Sequence, residues 1–104
     1  MSAALQEKLI PMSKYDLVAD IGATNARFAL THGSSPELLR IKVLACADYP
    51  NLQTAVADYL ASANAVGLIS KACIAIAGTV HLPEFSLANN HWRVNKAQVN
   101  AALK

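Results

Sequence analysis

Residues 17–30 constrain the fold more than any other part of the sequence. Leu17-Val18-Ala19 leads into Asp20-Ile21-Gly22-Ala23-Thr24-Asn25, after which Ala26, Phe28 and Leu30 alternate with Arg27 and Ala29. Successive side chains of a strand project to opposite faces, so this pattern predicts strand, tight turn, strand. His32-Gly33-Ser34-Ser35-Pro36 has the composition of a second turn, and Leu39, Ile41 and Val43 then alternate with Arg40 and Lys42 in a third strand, antiparallel to the second. Leu52, Ala55, Val56, Tyr59, Leu60 and Ala63 recur at helical spacing and predict an amphipathic helix of about three to four turns. Asp48 or Asn51 is placed to cap it, with Gly67 just past its end. Residues 71–77 lack polar alternation, which predicts a central strand covered on both faces and parallel to the first. A short extended piece at Phe85-Ser86-Leu87 precedes Asn95-Lys96-Ala97-Gln98, a capping box in which Asn95 accepts from the third helical N–H and Gln98 reaches back. The expected class is α/β, in the order β-β-β-α-β-α.

A chain of 104 residues has room for one domain. Hydrophobic residues make up 54% and charged residues 15%, more core-forming material than an isolated domain of this size needs, so further neighbours are expected. The net charge is +2 and the basic residues are scattered singly, which argues against nucleic acid or a membrane surface as partner. Cys46 and Cys73 show no zinc-binding spacing with His32, His81 or His91 and read as free thiols, Cys73 within a strand core. The N-terminal stretch carries Glu7 and Lys8 where a secretory signal would be apolar, and the longest apolar run falls far short of the roughly 20 residues that cross a bilayer. A soluble cytoplasmic protein is expected, with residues 1–13 a flexible leader and residues 14–104 the folded lobe.

The chemistry concentrates where the first strand turns into the second. A glycine turn can aim several backbone N–H groups at one anion, and the Thr24 hydroxyl adds a donor of suitable length for a phosphoryl oxygen. Asp20, at the strand's end, suits a hydrated Mg²⁺, which prefers a carboxylate plus retained waters. The same Asp-x-Gly-x-Thr string is also an ordinary hairpin turn, with Asp capping and Gly at positive φ.

Read as a unit, residues 17–30 resemble the opening of bacterial glucokinases, whose strand runs Asp-Ile-Gly-Gly-Thr-Asn-Ala-Arg. The family's Cys-Ile-Ala-Ile-Ala-Gly strand is matched by residues 73–78, and its Thr-Asn-x-x-Trp segment by Ala88-Asn89-Asn90-His91-Trp92. The helix entry Asp48-Tyr49-Pro50-Asn51-Leu52 is similar too, so the resemblance covers residues 14–104 in order. It implies an enzyme of glycolysis that transfers phosphate from ATP to the 6-hydroxyl of glucose. The implied fold is a ribonuclease H-like (actin-like ATPase) half-domain, a mixed sheet lacking its last strand. Ala19, Asp20, Ile21, Gly22, Ala23 and Thr24 would then be the nucleotide-binding turn, Asp20 holding Mg through water and Thr24 near the γ-phosphate. Asn89 would border the sugar, while Asn25 and Arg27 support the hairpin and Trp92 packs in the core.

Some positions depart from the family. Ala23 replaces its second glycine, which costs about 1 kcal/mol or more at positive φ and little at negative φ; tolerance is the expectation. Thr79 and Leu82-Pro83 stand where the family shows proline and a Gly-Asp pair, and Ala88 replaces a threonine. The Asn-Asp pair and Glu-x-x-His motif that supply the family's base and sugar clamp are absent from these residues, so no catalytic residue is assigned. The chain is expected to be an inactive N-terminal fragment that self-associates through an exposed sheet edge; the alternative is a non-catalytic binding or oligomerisation module derived from a sugar kinase lobe.

Overall fold

Alternation from Tyr15 onward does build a hairpin. In the computed structural model, which describes residues 15–33 and 35–104, β1 (Tyr15–Ile21) and β2 (Asn25–Thr31) pair antiparallel with Leu17 opposite Leu30 and Asp20 opposite Arg27. The leader expected over residues 1–13 lies outside the described residues. β3 (Leu39–Ala45) pairs antiparallel with β2, and β4 (Ile69–Ile76) pairs parallel with β1, giving a mixed four-stranded sheet in the order β3-β2-β1-β4.

One face of this sheet carries the core. The helix α1 (Leu52–Ser62) buries Leu52, Ala55, Val56, Tyr59 and Leu60 against it, and the Tyr59 ring stacks on Phe28 at 5.1 Å. Each such large side chain withdrawn from water contributes roughly 1.5–3 kcal/mol. Asn51 is the N-cap, accepting from the Thr54 N–H at 2.9 Å. The helix stops at a left-handed Asn64 (φ 57°), where the Ala65 N–H returns to the Leu60 carbonyl and the Asn64 N–H to that of Ala61. This paired closure satisfies the last carbonyls before Gly67, expected to end the helix, is reached.

Other expectations are corrected. β4 is an edge strand among the described residues, half-buried at Ala72, Ile74 and Ile76 and exposed between them, so Cys73 is exposed rather than in a core. Among the described residues, its parallel neighbour β1 covers one edge, and the half-buried Ala72, Ile74 and Ile76 share one face. The alternation read in β3 is broken by a bulge. Arg40 takes φ 52°, and Arg40 and Ile41 together face Ala29, so Ile41 and Val43 turn to solvent at 62% and 51% exposure while Leu44 is buried. The Arg40 guanidinium, lying over the Tyr15 ring, donates to the Ala63 carbonyl at the end of α1, where cationic charge complements the helix dipole.

Beyond β4 lies a small hairpin that the expected order omitted. β5 (Glu84–Ser86) pairs antiparallel with β6 (Arg93–Asn95), and Leu87 bridges back to Gly78. Phe85 and Val94 face the core, and α2 (Lys96–Ala102) follows directly. Only half of the predicted capping box forms. Asn95 Oδ1 accepts from the Gln98 N–H at 3.1 Å, but the Gln98 side chain accepts from Gln53 on α1 instead of reaching back. No helix among the described residues is long and apolar enough to cross a membrane.

Candidate functional site

The turn from β1 to β2 consists of residues 22–24, and the sheet holds it from several sides. The Gly22 N–H donates to the Asn25 carbonyl at 2.9 Å, and the Cys46 N–H, just past the end of β3, donates to the Thr24 carbonyl at 2.8 Å. The Gly22 carbonyl accepts from Asn90 Nδ2 at 3.0 Å, with the buried Cys46 thiol 3.9 Å away. Neither Gly22 nor Ala23 has positive φ, which corrects the simple hairpin geometry in which glycine is needed for a left-handed turn. Glycine answers a different need here: a Cβ at residue 22 would lie 3.3 Å from the Asn25 carbonyl oxygen. Ala23 carries its methyl without backbone strain.

Among the described residues, no group accepts a hydrogen bond from the N–H of Ala23 or of Thr24, nor does the Thr24 hydroxyl have a partner. Both residues are exposed. They line a cleft of about 300 Å³ with Asp20, Gly22, Asn25 and Arg27. The expected nucleotide-binding residues therefore divide by strand alternation: Asp20, Gly22, Ala23 and Thr24 face the cleft, whereas Ala19 and Ile21 are buried as anchors. Arg27, which the sequence assigned only to supporting the hairpin, brings a cation directly opposite Asp20.

On the other side of the turn, a second cleft of about 180 Å³ is lined by Gly22, Ala23, Ala77, Leu87, Asn89 and Asn90, together with Ile21. Asn89, the expected sugar-side residue, is exposed here. Its segment is fastened from below. The Ala88 N–H donates to the Ala77 carbonyl at 3.0 Å, and Trp92, at 0% exposure, donates its indole N–H to the Tyr49 carbonyl at 2.9 Å. Trp92 thus packs in the core, and His91 stays outside with Nε2 3.1 Å from the same Tyr49 oxygen.

The clear proton-affinity shifts lie away from the clefts. The Tyr49 hydroxyl donates to Asp58, which raises its pKa, and burial raises that of Tyr59, whose hydroxyl donates to the Arg40 carbonyl at 2.7 Å. Glu84 is held below its ordinary value by hydrogen bonds from Asn95 and Arg93. Among the described residues, no group of three or more His, Cys, Asp or Glu side chains could hold a metal ion.

The glucokinase family model matches residues 17–104. This chain belongs to the glucokinase family. The glucokinase of Hahella chejuensis is 50% identical over 91 residues, 88% of this chain and 28% of that protein. That of Pseudomonas aeruginosa (strain LESB58) is 52% identical over 88 residues, 84% of this chain and 26% of that one. A crystal structure of glucokinase from an Antarctic psychrotroph superimposes with a TM-score of 0.72 at 30% identity, over 86% of this chain and 29% of that chain. The chain spans about a quarter of the length of these curated relatives. Two residues that contact this glucokinase-family turn escaped the sequence. Asn90 stands beside the favoured Asn89 with nothing local to distinguish them, and Cys46 reads as a free thiol with no hint that it sits beneath Gly22.

Proposed function

We propose that this chain is the phosphate-binding part of an ATP-dependent, cytoplasmic glucose kinase, with residues 14–104 forming one truncated ribonuclease H-like (actin-like ATPase) lobe. The observation that carries this reading is the pair of N–H groups at the exposed residues Ala23 and Thr24, without acceptors among the described residues, in a cleft that also holds Asp20 and Arg27. Such groups bind an anion with little reorganisation. The donor set fits Mg²⁺ in one way: Asp20 offers a single exposed carboxylate, adequate for an ion that keeps most of its waters and shares phosphate oxygens. When bound, the ion would neutralise charge on the phosphates. Asn89, across the turn, would border the sugar.

The base and the sugar clamp that the family resemblance calls for are not among these residues, so the chain alone should bind nucleotide without turning over glucose. Titration of the ¹⁵N-labelled chain with Mg-ATP tests this. Amide shifts confined to residues 20–27 support the reading, and an unchanged spectrum at millimolar nucleotide ends it.

A second reading has its own support. Among the described residues β4 has β1 as its one strand neighbour, and an apolar groove of about 220 Å³ between β4, the small hairpin and α2 is lined by Ile74, Ile76, Val80, Phe85 and Val99 among others. The edge of β4 could pair with a strand from a second copy of the chain, as in a binding or oligomerisation module.

A further inference from the structure

We infer that Asn90 is a positioning residue for the phosphate-binding turn: by holding the Gly22 carbonyl it sets the plane of the Gly22–Ala23 peptide and so aims the Ala23 N–H away from the core. This rests on the reading of residues 20–24 as a phosphate site and adds a residue to it.

A trans peptide is planar, and its C=O and N–H point in opposite directions. Fixing the Gly22 oxygen therefore fixes the Ala23 N–H. That oxygen has a strong donor in Asn90 Nδ2 at 3.0 Å and a weak one in the Cys46 thiol, at 3.9 Å. Glycine has the widest backbone freedom of any residue, so the peptide that follows Gly22 can rotate unless something outside the turn holds it. The Thr24 carbonyl, held by the Cys46 backbone N–H, fixes the following Thr24–Asn25 peptide in the same way.

Asn90 is itself fixed. Its Oδ1 accepts from the Trp92 N–H at 2.9 Å while its Nδ2 reaches Gly22. Reversing the amide would set oxygen against the Gly22 oxygen and an NH₂ group against the Trp92 N–H, so the hydrogen-bond partners assign its orientation. Trp92 is in turn anchored by burial and by its indole bond to the Tyr49 carbonyl. The buried indole thus fixes the amide, and the amide fixes the turn across 68 residues of sequence.

Asn90→Asp separates this role from a merely structural one, because a carboxylate keeps the shape and can still accept from Trp92 but has no proton for Gly22. In the ligand-free ¹⁵N-labelled chain, N90D is expected to shift the Ala23 amide strongly at neutral pH. Acidifying through the carboxylate range, about pH 4, should partly restore it as the side chain regains a proton to donate. The Mg-ATP dissociation constant should rise about tenfold, the equivalent of 1.4 kcal/mol, with the thermal midpoint little changed. Asn90→Ala provides a second variant with the donor removed and no added charge, and the same Ala23 shift is expected without the acid recovery. An Ala23 amide that stays in place in both variants overturns the role given to Asn90. A wild-type chain that ignores Mg-ATP overturns the phosphate reading instead, because the ligand-free spectra still decide the peptide's orientation.

Discussion

Gly78 shows how little room separates the end of β4 from the segment that carries Asn89 and Asn90. A Cβ there would lie 2.8 Å and 2.9 Å from ring carbons of Phe85 and 3.1 Å from the Ser86 carbonyl. Phe85 is buried, so its ring cannot swing into solvent without exposing core. Gly78→Ala should therefore cost about 1–3 kcal/mol, read as a lower urea midpoint at unchanged slope. A midpoint equal to wild type would show that this contact gives way easily. Gly22 is a milder case, since a Cβ there would be crowded at 3.3 Å from the Asn25 carbonyl oxygen but the turn around it is exposed. Ala23, next to it, has no positive φ and so carries its methyl without backbone strain.

At the scale of elements, the β5–β6 hairpin depends on one carboxylate. Glu84 accepts from Arg93 Nε at 2.9 Å and from Asn95 Nδ2 at 2.8 Å, and Asn95 is also the N-cap of α2. Because these bonds depress the Glu84 pKa, its contribution to stability is complete above the unfolded carboxylate value and is lost as pH falls through the lower folded value. Acid titration followed by NMR should show the Arg93 Nε–H and Asn95 side-chain signals moving together with Glu84. Independent movement of the two donors would separate the hairpin from the cap. The sequence disclosed elements in proportion to their periodic length. The hairpin of β1 and β2 and the helix α1 repeat their pattern over enough residues to be read directly, and so does the pairing of β4 with β1. β5 is legible in part, as the extended piece at Phe85-Ser86-Leu87, but its partner β6 is three residues long, too short for alternation to show. The bulge at Arg40 escaped because an arginine at positive φ has no sequence signal of its own. Of the candidate site, Asp20, Gly22, Ala23 and Thr24 were legible from the turn motif. Asn90 and Cys46 were not, because hydrogen bonds between residues far apart in sequence leave no local pattern.

For the molecule as a whole, the position of β4 at the sheet edge among the described residues has a physical consequence. β4 offers backbone donors and acceptors along one edge, and Cys73 and Ala75 are exposed along it. An unprotected edge beside apolar surface favours pairing between copies. Under reducing conditions, light scattering at micromolar concentration should find dimers or larger species of the chain, and Cys73→Lys should shift them toward monomer. A monodisperse wild-type monomer would remove the case for self-association. The core-anchored indole has a further use. Trp92 is the only tryptophan in the sequence, and it sits at the base of the connection between the two clefts. Its emission is a native optical probe of that connection: a red shift and easier quenching would report water reaching the ring, so loosening beneath the turn could be followed in real time without attaching a dye.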